Sequence, residues 1–410
     1  MELRNAVVFL NLSHFSSTLI ATLLGGKHTK ATALPRSNLP ILRNVLRGTG
    51  TDLVEILKFC RTYESTDPRD KVLGFLGLTD VDTQAEIKPR YDCPVVDIYV
   101  EATKSIVLRS STLRVLSLVE DRAYRKVMEL PSWCPDYSVW HNSSNLTDLE
   151  ACLRGSWDPL NRLEMQQPRK PSFDSHVMSV RGLLYDVVTK IGENFEEITH
   201  YNGFLKIIDI LNYLGPRYPT GESTAEVLWR AMIANKDHPN DDHPASTALD
   251  NAFSQFLLYY SSMEGKELDE CDCVGAENID STQEAFIRLA RSDPSEIIPG
   301  QENYNSWSEW YKSDGNGQSP ITGIHQFIGS LTDVYVYRRL FLTGKNFLGI
   351  TSQSCLPGDS VVFLVGAKVP FVLRKMPNGK YQVVGEAYVH GVMEGEGVDK
   401  DSELITIELE

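Results

Sequence analysis

The chain has 410 residues, 42% hydrophobic and 23% charged, which is enough apolar material for a sizeable core and too ordinary a mix for wholesale disorder. A formal net charge of −15, with no block of like basic charges, excludes nucleic acid as a partner, because phosphate binding needs clustered Lys and Arg. Seven cysteines, an odd number scattered from Cys60 to Cys355, do not form a disulfide framework and read as reduced thiols of a cytoplasmic protein.

The apolar stretch Ala6 to Leu24 is interrupted by Asn11, Ser13, His14, Ser16 and Thr22. A membrane span needs about 20 predominantly apolar residues and a signal peptide an unbroken apolar core, so the stretch reads as a buried or partner-facing helix, with no membrane span. The glycosylation sequons at Asn11, Asn142 and Asn145 have meaning only in a secreted chain. From Leu39 to Thr62 apolar residues recur at helical spacing, broken at Gly48–Asp52, where Thr51 or Asp52 caps a second helix. The run Ser65–Asp70 reads as a helix start: a capping oxygen from Thr66 or Asp67, Pro68 at the first helical position, then the apolar run Val72 to Leu78. Helices are expected at Val95–Leu108 and Leu113–Val119, and Leu130–Ser138 is an extended, Pro-punctuated aromatic loop.

Residues 141–175 are polar and Pro-rich, a connection. Met178–Leu184 reads as a strand that Asp186–Ile191 continues, followed by helices at Gly203–Leu214, Thr224–Ala234, Ala248–Ser261 and Gln283–Ser292. The acidic segment 264–280 reads as a mobile surface loop. After Val334 the chain turns to short β-branched and aromatic runs: Tyr335–Thr343, Phe347–Ile350, Ser360–Val365, Val369–Arg374, Tyr381–Val389 and Leu404–Leu409. Gly344-Lys345-Asn346, Pro357-Gly358-Asp359 and Pro377-Asn378-Gly379 supply the turns. The fold class is α+β, with a mainly helical region over 1–140, a helical body over 141–333 and a small antiparallel barrel-like unit over 334–410.

Four passages resemble the fungal heterokaryon-incompatibility (HET) domain family. Thr66-Asp67-Pro68-Arg69-Asp70-Lys71-Val72 with Leu76-Gly77-Leu78 is similar to its TDPRDK…LLGL motif. Ile87-Lys88-Pro89-Arg90-Tyr91 with Val96-Asp97-Ile98-Tyr99 is similar to its I-x-P-D-Y continuation, Arg90 replacing the acid. Leu130–Ser138 is similar to LPSWxPDWS, with Tyr137 for the second Trp. The last is the run Gly358–Val361, Val369–Arg374 and Gly385–Gly391. The resemblance extends from about Leu53 onward and implies that 1–140 is the C-terminal part of such a domain. The family's Trp-Gly, C-I-N-Q and R-x-W-x-x-Q-E stretches do not precede Asp67. In the family they belong to a TIR-like half proposed to cleave NAD and signal cell death, so the resemblance implies no NAD cleavage by these residues alone.

Asp67, Arg69 and Asp70 read as a cap and a local ion network around Pro68. His238, Asn240, Asp241, Asp242 and His243 read as a solvated loop without metal-ligand spacing, and Cys271-Asp272-Cys273 lacks a second pair for zinc. No Walker A, G-x-G-x-x-G or G-x-S-x-G is present, so no cofactor is expected. The remaining candidate is an apolar pocket walled by Trp133, Tyr137, Trp140, Trp157, Tyr388 and His390, with Arg374 or Glu386 as orienting groups. Such a pocket fits a cofactor-independent cyclase or isomerase of fungal secondary metabolism, of pericyclase type, acting on an apolar terpenoid or polyketide by conformer selection and a few hydrogen bonds. The alternative is a non-catalytic incompatibility or cell-death recognition module whose partner is a HET-family protein.

Overall fold

The computed structural model describes most of residues 52–256 and 324–410. Outside the described residues lie Ala6–Leu24, the helix read before Gly48, Asn142, Trp140, His238–Asp242, Gln283–Ser292, the acidic segment 264–280 and Cys271–Cys273. The chain forms two compact units. The first holds Met1–Ser111, Leu118–Glu120 and Tyr124–His141, and the second Thr112–Ser117, Asp121–Ala123 and Asn142–Glu410.

The first unit is helical. Helix α1, Leu53–Cys60, begins at Asp52, whose carboxylate accepts from the Val54 amide at 3.2 Å. The helix expected at Pro68 is shorter and starts later: α2 spans only Asp70–Leu73, then a 3-10 turn covers Leu76–Leu78. The expected cap is present: the Asp67 carboxylate accepts from the Arg69 amide two residues on, and it also holds the Arg69 guanidinium. The amides of Asp70, Lys71 and Val72 bond to carbonyls three residues back, which winds this stretch as tight turns. Helix α3, Val81–Glu86, is capped by Asp80, which accepts from the Thr83 amide at 2.9 Å. Helix α4, Val95–Arg109, follows Pro94 and carries Asp97 in its first turn and Arg109 in its last, which complements the helix dipole. Its buried stripe includes Ile98, Ala102 and Ile106. The helix read at Leu113–Val119 is instead a 3-10 turn at Arg114–Leu118, of which Arg114–Ser117 belong to the second unit.

The second unit is built on a closed ring. Its strands are β1 (Ser172–Asp174), β2 (Val177–Asn194), β3 (Arg338–Thr343), β4 (Leu348–Ser352), β5 (Ser360–Leu364), β6 (Phe371–Lys375), β7 (Tyr381–Val389) and β8 (Ile405–Leu409). Hydrogen bonding runs β2-β3-β4-β7-β6-β5 and back to β2, each pair antiparallel. An even number of strands lets such a ring close without a parallel seam, and closure removes the sheet edges. The run of strands after Val334 does not close by itself. Strand β2, from the middle of the chain, completes the ring, while β8 lies outside it on the first part of β2.

The length of β2 makes this possible. Register shifts at Leu184/Asp186 and Val188/Lys190 bend it, so its middle pairs with β5 and its end with β3. Inside the ring Tyr185 stacks on Phe363 at 4.7 Å between centroids, among Val188, Phe341, Val361 and Val372. Gly349 is needed for close approach: a Cβ there would lie 2.5 Å from both the Phe341 ring and the Tyr388 carbonyl.

Three described helices pack on the ring: α5 (Leu205–Leu214) on β2, α6 (Thr224–Met232) on β4, and α7 (Ile324–Tyr335) on β3. Buried Glu193, at the end of β2, accepts from the Lys206 and Ile207 amides at the start of α5, and burial pushes its carboxyl upward. Ser223 and Glu226 form the start of α6, the Ser223 hydroxyl accepting from the Glu226 amide at 3.1 Å.

Candidate functional site

In the first unit the resemblance motifs are backbone clamps. Arg69 holds Asp67 through both carboxylate oxygens, at 2.9 and 2.7 Å, and donates to the carbonyls of Tyr91 and Cys93 at 2.5 and 2.9 Å. The guanidinium bonding to Asp67 holds that carboxyl below its usual range. Tyr91 donates to Asp70 at 2.6 Å, a bond that pushes its phenol up to about 12. Lys71 donates to the carbonyls of Arg61 and Tyr63.

The Leu130–Ser138 loop is held the same way. Arg125 donates to the carbonyls of Leu130, Pro131, Ser132 and Cys134 at 3.0 to 3.3 Å and pairs with buried Glu120 at 2.8 Å. Asp136 accepts from the amides of Lys126 and Val127, both at 2.8 Å, and of Ser138 at 3.0 Å. Trp133 and Tyr137 are core residues of this unit. Thr103 gives its one proton to the Tyr99 carbonyl at 2.8 Å, so Tyr137 donates to the Thr103 oxygen at 2.9 Å. The rings of Tyr99 and Tyr137 meet edge-on at 5.2 Å, and Tyr99 donates to the Pro68 carbonyl at 2.7 Å, which ties the two motifs together.

The other candidates lie in the second unit. Arg374 on β6 forms a two-pronged pair with buried Asp359, both distances 2.8 Å, and donates to the Ser354 carbonyl. Beside it Asp121 accepts from the hydroxyls of Ser352 and Ser354 at 2.6 and 2.5 Å. Glu386 on β7 pairs with Arg338 at 2.7 Å, with both side chains 7% exposed, and accepts from the Leu146 amide at 2.7 Å. Both orienting groups read from the sequence are therefore engaged in holding strands.

Tyr388 and His390 are brought together, and Glu222 completes the group. The Tyr388 hydroxyl lies 2.9 Å from His390 Nδ1, while His390 Nε2 lies 3.1 and 3.2 Å from the two Glu222 oxygens. An ionised carboxylate only accepts, so Nε2 carries the proton on that side. The bond to His390, with help from Thr220 and the charges of His390 and Arg230, holds Glu222 down to about 2. Tyr388 is pushed well above the ordinary phenol range by burial.

On its other side the Tyr388 ring meets Trp157 at 5.6 Å, and Trp157 Nε1 donates to His243 Nε2 at 3.3 Å. That bond requires a neutral imidazole. Burial, with the charges of Arg230 and His390, holds His243 down to about 4. Contrary to the solvated loop read from the sequence, His243 packs edge-on against Trp157 at 5.4 Å. The chain phenol–imidazole–carboxylate can pass a proton from a buried end to a half-exposed one, since the Tyr388 residue is 2% exposed and the Glu222 side chain 36%.

Glu222 carries no sequence signal for this role. It sits in a turn between helices, and its pairing with His390 spans 168 residues. Among the described residues no cluster of His, Cys, Asp and Glu has a metal-binding arrangement, and no helix is long and apolar enough to cross a membrane.

Residues 321–403 match the Het-6 beta-barrel domain family, a stretch that contains β3 to β7 but not the ring-closing β2. Heterokaryon incompatibility protein 6, OR allele, of Neurospora crassa is 22% identical over 377 residues, covering 82% of this chain. Both likenesses are to heterokaryon-incompatibility proteins. It spans 49% of that relative's length, about half. No solved structure matches it.

Proposed function

We propose that this chain is a member of the heterokaryon-incompatibility family and acts in that process as a non-catalytic module that recognises a partner protein, a HET-family member, in the cytoplasm. The engagement of the marked side chains carries this reading. Tyr137 is bonded to Thr103, Arg374 to Asp359 and Glu386 to Arg338, each pair serving to hold backbone segments in place. Polar groups engaged in this way position strands and loops, and they leave recognition to the exposed surface. The Neurospora relative's name supports the same process. Two isogenic fungal strains differing only in this chain, brought to hyphal fusion, are the test. Arrest or death of the fused compartments is the expected result, and vigorous mixed growth would refute the module.

One observation favours a second reading. The Tyr388–His390–Glu222 chain is equipped for acid–base work, as a cofactor-independent cyclase or isomerase acting on an apolar terpenoid or polyketide would require. Purified protein that neither binds nor converts any metabolite accumulating in a deletion strain would eliminate it.

A further inference from the structure

The seam between β4 and β7 lacks one backbone rung. Gly349 faces Val389, and one step further the His390 amide donates to the Leu348 carbonyl at 2.9 Å. In an antiparallel pair of this kind the two residues exchange both bonds, so the Leu348 amide should return to the His390 carbonyl. It does not. The Tyr218 hydroxyl stands between them, accepting from the Leu348 amide at 2.7 Å and donating to the His390 carbonyl at 3.0 Å.

Tyr218 belongs to a tight loop closed on itself. Arg217 bridges to Ser223, the Tyr218 amide donates to the Glu222 carbonyl at 3.0 Å, and the Gly221 amide donates to the Tyr218 carbonyl at 2.9 Å. Outside the rung, the loop is held by Glu222 on His390, by the Tyr218 ring edge-on to Phe347 and to His390, both at 5.8 Å, and by Thr220 lying over Gly391. Gly391 is at φ +85, and a Cβ there would come within 2.7 Å of the Thr220 methyl. Arg217, Pro219, Thr220 and Gly221 are exposed.

We propose that Arg217–Glu222 is a releasable strap: when Tyr218 withdraws, Leu348 and His390 close their own backbone bond, so the ring has two satisfied arrangements. An ordinary buried hydroxyl has no such exit, because its departure strands the groups it served. Here the two stranded groups are each other's natural partners. The Tyr218 hydroxyl and the Glu222 carboxylate regain water, which offsets the packing on Phe347 and the bond to His390 that release gives up. Release uncovers Phe347 and the end of β7, and leaves the ladder one bond longer. An element with two satisfied states is what a binding event elsewhere on the unit can bias.

The test uses the full chain under native conditions, reading tryptic cleavage after Arg217 and amide exchange at Leu348. Tyr218→Phe keeps the ring and removes the wedge oxygen. Cleavage should rise about tenfold, as expected for losing a bond worth roughly 1.4 kcal/mol, while the Leu348 amide stays protected by the His390 carbonyl. Thr220→Glu, at the exposed tip, sets a second carboxylate against Glu222 and should raise cleavage with the same protection at Leu348, which covers the case in which Tyr218→Phe does not fold. Unchanged cleavage in the folded variants overturns the proposal. So does cleavage that rises together with exchange at Leu348 and along β4, because the strap would then leave only when the ring unfolds.

Discussion

The two units solve the same problem in opposite ways. In the first, irregular backbone is packed inside and its carbonyls must find donors, so charged side chains are drawn inward: Arg125 alone serves four carbonyls of the Leu130–Ser138 loop. In the second, the ladder of a closed ring satisfies most of the backbone, its core cluster is apolar, and polar side chains gather at strand ends and in the turns beside them, as Tyr388, His390 and Glu222 do. Loop motifs are conspicuous in sequence for that reason. A carbonyl-rich loop demands one particular residue, whereas a ladder accepts many.

The comparison is broken most severely by removing Arg125. Arg125→Met should destabilise the first unit by about 3–5 kcal/mol in denaturant titration, because buried Glu120 loses its closer cation, keeping Arg61 at 3.4 Å, and four loop carbonyls lose their donor. A loss below about 1 kcal/mol would mean that the loop does not depend on its clamp. In the ring, Arg338→Met removes the buried ion-pair partner at 2.7 Å from Glu386 and should cost about 3 kcal/mol. Adding Glu386→Gln removes the buried carboxylate charge and keeps an acceptor for the Leu146 amide, so part of that loss should return. No recovery in the double variant would show that packing, not charge, holds that corner.

The polar end of the second unit sharpens the contrast through pH. Burial, with the charge of Glu226, pushes Asp250 up to about 6. The folded state therefore binds the Asp250 proton more tightly, and this stability fades as pH rises from about 4 to about 6. His243, held down to about 4, resists its proton when folded, and that stability fades as pH falls from about 6.5 to about 4. Between pH 4 and 6 the two slopes oppose each other. Asp250→Asn should leave stability rising with pH by up to about 1.4 kcal/mol per unit, and His243→Gln should leave it falling. Slopes of the same sign in both variants would contradict these assignments. Smallest is the cap of α1: Asp52→Ala should cost about 1 kcal/mol by thermal unfolding.

Regular elements are legible where the apolar period runs uninterrupted. Helix α4 is legible to within one residue at its C-terminal end and β7 to both ends. The Asp67 cap is legible from sequence, but the short helix behind it is not, because the turns from Pro68 are wound tightly while Arg69 is drawn to the carbonyls of Tyr91 and Cys93. The ring is legible as short strands but not in its closure, since pairing β2 with β3 and β5 is a long-range register decision made by bulges. At the candidate site Tyr388 and His390 are legible as a pair two apart along one strand and its end. Their third member is not, because nothing local to Glu222 points toward β7.

Recognition by an exposed surface, with the interior serving only to hold shape, is tested most directly by asking which substitutions change incompatibility at hyphal fusion. Leu184→Glu, Val187→Glu and Met128→Glu alter side chains 40%, 45% and 56% exposed, while Tyr388→Phe alters the buried proton chain. The account expects one or more of the surface changes to abolish the fusion response in a folded protein, and Tyr388→Phe to leave it intact. Loss of the response in folded Tyr388→Phe, with all three surface variants behaving as wild type, would contradict it and favour chemistry inside the ring.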